Sequence, residues 1–321
     1  MRAPPPLERR FQLLTGKGGV GKTTLSIALA LALTKRGKRV LHMQLGAHDH
    51  LGAVFGRPPV GPEIVELAPL LYAVNTTPAD AMREYALLVL RSKVLYKAVF
   101  ENRVVRRFLR MVPGLPELVM IGKAWYHEQE RTPEGAPRWD AVIVDAPATG
   151  HGLFLLQIPS VITGALHAGM MVEESQKIAA LLEDPARAAI HLVTLTEEMP
   201  VAETLELREK LARESRVQAG VCLANAVLPT RFSEPDAQLL HDLLVDGGDA
   251  PDALRDLLQS GVFRHQRCQL QQAYLERLER GLDLPVVQMP FLFSSQRERR
   301  SLEVLASALS QAMDAAQGGS R

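Results

Sequence analysis

The pattern of apolar and polar positions divides the chain into two kinds of segment and predicts alternating strands and helices. Short continuous apolar runs are typical of strands that are buried on both faces of a parallel sheet. Such runs occur at residues 11–14, 39–44, 71–75, 139–145, 190–195, 217–225 and 285–289. Segments with helical spacing separate them, the first over residues 21–36, where Gly37 ends it. The alternation predicts an α/β fold with a doubly wound, mostly parallel sheet and right-handed crossovers.

The longest helical pattern covers about residues 78–130 and is broken near Pro113 and Gly114. Because it lies between two predicted strands, we expect one domain over residues 1–321 with a helical subdomain inserted at about 78–130. Residues 58–69 are rich in proline and glycine, which predicts an irregular loop. Further helices are expected within 230–262, over 266–280, and from Arg297, Arg299 and Arg300 to about Ala316.

Composition and charge limit the functions that the chain can have. A net charge of +1 with balanced acids and bases gives no global field that would recruit nucleic acid or a membrane. No apolar run approaches transmembrane length, and the first ten residues lack the apolar core of a signal peptide. Cys222 and Cys268 are isolated, so they form neither a disulfide framework nor a metal motif. We expect a cytoplasmic protein that binds no nucleic acid and does not insert into a membrane.

The clearest chemistry lies in Thr15-Gly16-Lys17-Gly18-Gly19-Val20-Gly21-Lys22-Thr23-Thr24, between the first predicted strand and helix. Glycines there let backbone N–H groups turn toward a phosphate chain, and the helix N-terminus adds a partial positive charge. In this pattern Lys22 reaches the β- and γ-phosphates, while the Thr23 hydroxyl binds Mg²⁺. The stretch therefore predicts a nucleoside triphosphate site, with contacts from Gly18, Gly19, Val20, Gly21, Lys22, Thr23 and Thr24.

An acidic residue is predicted to complete this site from the next buried strand. Asp145 ends the run of β-branched residues that begins after Trp139. Ligands bind at the carboxyl edge of doubly wound sheets, which would place Asp145 beside Lys22 and Thr23. There its carboxylate would hold the Mg²⁺ shell. Many strands also end in an aspartate at a turn, so the residues that follow Asp145 decide between the two interpretations.

Those residues and the phosphate loop carry a family resemblance. With Lys17 at its start, the loop resembles the deviant phosphate loop of the family that contains ArsA, MinD, ParA and the nitrogenase iron protein. Residues 145–152 resemble the switch II pattern D-x-A-P-T-G-H of the branch formed by ArsA and the ATPase that targets tail-anchored proteins, although Pro147 follows Ala146 directly. The resemblance runs from Phe11 to about Ala316 and favours the functional interpretation of Asp145.

The resemblance implies a dimer that closes around two ATP molecules. Lys17 would act on the nucleotide of the partner chain, and Asn225 would pair with the adenine ring, whose edge suits an amide. Pro290 and Phe291 lie where the family has its adenine-covering loop. The implied cofactors are ATP and Mg²⁺, and the implied catalytic residues are Lys17, Lys22, Asp49 and Asp145.

Switch I is the place where the sequence departs from the family. Residues 45–51 lie where the family has D-P-A-H-S-L, and a gapless comparison puts Gly46 at the aspartate that orients the attacking water. Either Asp49 substitutes for it from a shifted loop, or ATP is hydrolysed slowly or not at all. His48, Asp49 and His50 also allow a metal site, but two histidines without further ligands are more typical of a solvated loop.

Two other features leave alternatives open, and a third argues against two ligands of the family. Glu203 follows a predicted helix entry, where it would either cap the helix or contact nucleotide. Four arginines share one helical face, which fits a solvated surface better than an acidic partner: Arg103, Arg106, Arg107 and Arg110. The methionine-rich client groove and CxxC clasp of the tail-anchor-targeting ATPases are missing, as are the three cysteines with which ArsA binds arsenite, so neither ligand is implied.

The leading hypothesis is an ArsA-like dimeric ATPase whose switches relay the nucleotide state to an unknown protein client or cargo. Because Gly46 occupies the water-positioning place, we hypothesise a heterodimer in which a paralogous ATPase supplies full catalysis, although the sequence leaves homodimer and heterodimer both open. The alternatives are a nucleotide-switched scaffold subunit with little hydrolysis, a positioning ATPase of the ParA or MinD type, and a phosphotransfer enzyme.

Overall fold

Eight strands form one sheet at the centre of the computed structural model, which describes residues 3–46, 49, 51–90, 115–146, 152–165, 170–246, 251–293 and 299–318. The order across the sheet is β3-β4-β2-β5-β1-β6-β7-β8, and only the β3–β4 pairing is antiparallel. This confirms the predicted α/β fold with a mostly parallel sheet. The strands are β1 (Phe11–Thr15), β2 (Val40–Leu45), β3 (Val65–Ala68), β4 (Leu71–Thr76), β5 (Ala141–Asp145), β6 (Ala188–Leu195), β7 (Ala219–Val227) and β8 (Val286–Pro290).

Ten α-helices of the described residues surround the sheet, after a short 3₁₀ turn at Pro6–Glu8. In chain order they are α1 (Lys22–Lys35), α2 (Leu51–Val54), α3 (Pro78–Leu90), α4 (Leu115–Gln129), α5 (Gly152–Ala165), α6 (Met170–Glu183), α7 (Glu198–Glu214), α8 (Glu234–Asp246), α9 (Asp252–Leu282) and α10 (Arg299–Gly318). None of these helices is long and apolar enough to cross a membrane.

Helices cover both faces of the sheet, which explains the continuous apolar runs of its strands. Leu14 points to the core beneath α1 and α10, whereas its neighbour Leu13 points to the core beneath α4 to α7 and the end of α9. Both leucines are fully buried, as is Cys222 in β7. A strand with two buried faces has no polar alternation, so its length rather than its period identifies it.

Two of the predicted elements differ from the structure. The loop predicted at 58–69 contains β3, whose Leu67 is buried and which pairs with β4 at the sheet edge. The helices predicted at 230–262 and 266–280 are instead α8 and a single α9 of 31 residues. The helix α9 continues through Gly261. A Cβ at this position would lie 3.0 Å from the Leu240 side chain of α8. That glycine permits close helix packing.

Several predicted features lie outside the described residues. They are the helix break near Pro113 and Gly114, the four arginines on one helical face, the switch II residues 147–151, and Arg297. Within the predicted subdomain at 78–130, the structure describes α3 and α4, and α4 contributes Leu118 and Ile121 to the core. The division of the chain into a domain and an inserted subdomain stays a prediction.

A buried histidine in β6 links the sheet to the N-terminal turn. His191 is fully buried, and its Nε2 lies 3.1 Å from Gln12 Oε1. Gln12 Nε2 donates to the backbone oxygens of Leu7 and Arg9, each at 3.0 Å, so Oε1 accepts and the neutral imidazole donates. Burial, and to a smaller extent the positive charge of Arg9, lower the pKa of His191 to about 3.

We expect His191 to make the protein less stable as the pH falls. In the unfolded chain the imidazole titrates near its ordinary pKa of about 6.5, so below this pH the unfolded state binds a proton that the folded state excludes. The loss reaches about 2.5 kcal/mol by pH 4.5. His191→Gln keeps a donor for Gln12 and should remove this part of the pH dependence in urea unfolding at pH 7.0, 5.5 and 4.5. Equal pH dependence in both proteins would contradict the prediction.

Candidate phosphate-binding site

The loop of residues 16–21 joins β1 to α1 at the carboxyl edge of the sheet. Gly16, Gly19 and Gly21 have φ values of +150°, +84° and +95°, a region that side chains disfavour. A Cβ on Gly16 would lie 2.2 Å from the backbone oxygen of Val193 in β6, and one on Gly21 would lie 2.2 Å from Asn225 Nδ2. The backbone conformation therefore favours glycine at both positions, and at Gly16 the space requires it as well, because the Val193 oxygen belongs to the backbone.

Lys22 is the first residue of α1 and folds back over this loop. Its Nζ donates to the backbone oxygens of Gly16 at 3.0 Å and Lys17 at 2.8 Å, and the residue is only 6% exposed. Burial lowers the pKa of Lys22, while the negative charge of Asp145 acts in the opposite direction. A buried cation is thus held against the loop that precedes α1, and a positive charge beside a helix N-terminus suits an anion.

Asp145 is the last residue of β5, which lies between β1 and β2. It pairs in register with Leu14 on one side and Gln44 on the other and is 6% exposed. The structure thus brings Asp145 to the strand edge beside Lys22, as the sequence predicted, with Thr23 in the first turn of α1. A hydroxyl and a carboxylate are hard oxygen donors that fit Mg²⁺, which keeps several waters and shares phosphate oxygens. Among the described residues there is no group of three or more His, Cys, Asp or Glu that could hold a metal ion.

A pair of polar residues supports the first turn of α1 and was missed by the sequence interpretation. Ser26 Oγ donates to the Thr23 backbone oxygen at 2.9 Å and lies 2.8 Å from His42 Nε2, which therefore donates to the hydroxyl. His42 is fully buried, and burial lowers its pKa to about 4, although the charge of Asp49 opposes this. The only sequence signal was a histidine within the otherwise apolar start of β2.

Asp49 has a structural role that the sequence did not predict. Its Oδ1 accepts a hydrogen bond from the backbone N–H of Leu51 and its Oδ2 one from Gly52, both at 2.9 Å, so it caps the short helix α2. Gly46 follows β2, and its N–H donates to the Thr76 oxygen at 3.2 Å. The use of Asp49 in catalysis stays a prediction. His48 and His50 lie outside the described residues, and so does the metal site weighed there.

Lys17, the first lysine of the loop, forms an ion pair with a distant helix. Its Nζ lies 2.6 Å from Glu203 Oε1, and both side chains are about 40% exposed. Glu203 is the sixth residue of α7 and lies beyond the first turn, so the capping role weighed for it is wrong. The proposed action of Lys17 on a partner's nucleotide stays a prediction.

The residues predicted to contact adenine lie at the ends of β7 and β8. Asn225 Nδ2 donates to the Val20 backbone oxygen at 2.8 Å, which places this amide against the phosphate loop. The sequence predicted that this strand ends at Met289. In the structure β8 ends at Pro290, which is therefore not the start of a loop. The N–H of Phe291 donates to the Val227 backbone oxygen at 2.8 Å, and the residue is 39% exposed. Their roles toward adenine stay predictions.

Comparison with known proteins gives one family and several full-length or partial relatives. The family model described as anion-transporting ATPase matches residues 9–174. The ATPase BagA of Mycobacterium tuberculosis is 28% identical over 319 residues, which cover 94% of this chain and 93% of that protein. The arsenical pump-driving ATPase of Acidiphilium multivorum is 28% identical over 245 residues, which cover 71% of this chain and 41% of that protein. The ATPase GET3 of Kluyveromyces lactis is 26% identical over 165 residues, which cover 49% and 47%.

Proposed function

Because the chain belongs to the anion-transporting ATPase family, we propose that it binds ATP with Mg²⁺ at the 16–21 loop and hydrolyses it as a dimeric, nucleotide-driven switch for a partner protein. The observation that carries this proposal is the position of Lys22. Its Nζ lies 2.8 and 3.0 Å from the backbone oxygens of two loop residues. The negative charge of Asp145, at the end of the adjacent strand, attracts the Lys22 ammonium. A buried lysine, an acid and a glycine loop together are the parts that phosphoryl transfer from ATP requires.

Each part of the site would have its own role in binding and hydrolysing ATP. Backbone N–H groups of the loop would hold the phosphates, and Lys22 would balance the charge that develops on the γ-phosphate. Thr23 and Asp145 would hold Mg²⁺, which when bound neutralises phosphate charge and orients the triphosphate. Lys17, on the exposed side of the loop, is the residue that would reach the nucleotide of a second subunit.

A specific observation favours slow hydrolysis as the second candidate. Catalysis needs a group that orients the attacking water. Gly46 has no side chain for this purpose, and both carboxylate oxygens of Asp49 accept hydrogen bonds at the start of α2. In this second candidate the chain is a nucleotide-binding subunit, and its paralogous partner in a heterodimer completes the water site.

The proposal is tested with the purified chain. We expect calorimetry to detect ATP binding that EDTA weakens, and light scattering to detect a doubled mass when a non-hydrolysable analogue and Mg²⁺ are added. Phosphate release should be slow and should depend on Mg²⁺. A chain that binds no ATP would refute the proposed function, whereas tight binding and dimerisation without any phosphate release would select the scaffold alternative.

Restoring a carboxylate in switch I should accelerate hydrolysis. A Cβ on Gly46 would meet no atom within 4 Å among the described residues, so a side chain fits there without a clash. We expect Gly46→Asp to raise the rate of phosphate release at least about tenfold, since a positioned general base or water-orienting group contributes 10²–10⁴-fold in enzymes. Gly46→Asn is the matched control of the same shape and should leave the rate near that of the wild type. Equal rates for both variants would place the water-orienting group elsewhere.

A further inference from the structure

The two lysines of the phosphate loop are held in different ways. Lys22 Nζ donates to the backbone oxygen of Lys17 at 2.8 Å, which fixes the main chain at that residue. The Lys17 side chain leaves the loop in another direction, and its Nζ donates to Glu203 Oε1 at 2.6 Å. Lys22 is almost fully buried, whereas Lys17 and Glu203 keep 41% and 40% of their side chains exposed. The exposed pair is therefore accessible to a competing anion.

Glu203 is carried by a helix whose position is fixed by the sheet. On α7, Val201 and Leu211 are fully buried, and the Thr204 hydroxyl donates to the Pro200 oxygen at 2.7 Å. The preceding strand, β6, touches the loop directly, since the Val193 oxygen occupies the space that a Cβ of Gly16 would need. The carboxylate is thus held at a set distance from the loop, so its pairing with Lys17 does not require the helix to move.

We propose that Glu203 is a positioning residue that competes with a nucleoside triphosphate for Lys17, and this inference rests on the ATP-binding function proposed above. A lysine ammonium is a compact point charge, and its short bond to one carboxylate oxygen directs the side chain toward α7. If a phosphate oxygen bound the Lys17 ammonium while that ammonium stayed paired with Glu203, the phosphate and the carboxylate would be adjacent and would repel each other. Lys17 therefore pairs with either Glu203 or the triphosphate, and Glu203 weakens nucleotide binding.

The triphosphate that binds Lys17 can be the one at the phosphate loop of the same chain or the one at the loop of a second copy of the chain. Both sources present the same phosphate oxygens, so the chemistry of the competition is identical. Protein concentration separates them, because only capture by a second copy makes the effect of Glu203 grow as the subunits associate. An exposed ion pair contributes modestly, so removing it should change the dissociation constant about two- to fivefold.

The test is a double-mutant cycle on nucleotide affinity. Glu203→Gln keeps the shape of the side chain and removes its charge, and it should lower the dissociation constant of an ATP analogue with Mg²⁺ about two- to fivefold. In a Lys17→Gln background the same change should have no effect. Glu206→Gln is the control, because Glu206 lies one turn further along α7 and pairs with Lys210 at 2.6 Å. Unchanged or weaker binding in Glu203→Gln, or an effect that persists without Lys17, overturns the inference.

A second measurement separates this inference from the proposed function. The ion pair shields the Lys17 amine, so acetylation of Lys17 by limiting acetic anhydride, followed by peptide mass spectrometry, should be faster in Glu203→Gln without any nucleotide. If acetylation differs but the wild type binds no ATP, the proposed function has failed although the ion pair exists. If the acetylation rates are equal while ATP binds normally, the ion pair does not form in solution and only the inference fails.

Discussion

Lys22→Ala should lower the rate of phosphate release from ATP by roughly 10²- to 10³-fold, as the loss of one preorganised donor to a developing anion does in other enzymes. Lys22 is a buried, charged side chain directed at the loop, with Nζ 3.0 Å from the Gly16 oxygen. Without it, the charge on the γ-phosphate would have to be balanced by Mg²⁺ and backbone N–H groups alone. ATP affinity should also fall.

The measurement is best made in both the wild type and the Gly46→Asp variant, because the expected rate of the wild type is low. Single-turnover phosphate release gives the rate, and thermal unfolding verifies that each variant is folded. Lys35→Ala is the matched control, since Lys35 ends the same helix α1, is exposed and lies at the opposite end from the loop. A Lys22→Ala protein that is folded and retains more than about a tenth of the activity would remove Lys22 from the proposed mechanism.

The parts of the site that the sequence predicted are those that local chain geometry determines. The loop follows a strand and opens a helix, so Lys22 and Thr23 must lie at that junction. Asp145 ends a buried parallel strand, and the carboxyl ends of parallel strands lie along one sheet edge. For these residues, the element type and the position within the element are sufficient to place the side chain at the loop that joins β1 to α1 or at the strand end beside it.

The parts that the sequence did not predict depend on contacts between distant elements. The Lys17–Glu203 pair joins residues 186 positions apart, and no local pattern relates them. The antiparallel strand β3 is too short to give a recognisable apolar run, so its pairing with β4 decides its conformation. Similarly, α9 continues past Gly261 because packing against Leu240 outweighs the low helix propensity of glycine.

The different environments of the two loop lysines also explain how one loop can serve two purposes. Lys22 is buried and is fixed by carbonyls of its own loop, which suits a charge that must not reorient during the reaction. Lys17 is exposed and is held by a single carboxylate, which suits a charge that exchanges between partners. In the proposed function, the fixed lysine would bind the nucleotide and the exchangeable lysine would change its partner in response to it.

Gly16→Ala should destabilise the protein by roughly 4 kcal/mol, since overpacking and backbone strain each contribute about 1–3 kcal/mol. The added Cβ would lie 2.2 Å from the Val193 oxygen, and this backbone atom cannot rotate away as a side chain would. Relief requires the end of β1 to separate from β6, where Thr15 pairs with Leu192. Because that separation displaces the loop, ATP binding should be lost together with stability.

Gly19→Ala separates the two causes of this destabilisation. Gly19 also has a positive φ, of +84°, but a Cβ there would meet no atom within 4 Å among the described residues. It should therefore lower the free energy of unfolding only by the conformational strain, about 1 kcal/mol. Urea unfolding of both variants measures the difference. If Gly16→Ala and Gly19→Ala were equally destabilising, the contact between β1 and β6 would not be what requires glycine at position 16, and its left-handed backbone alone would account for it.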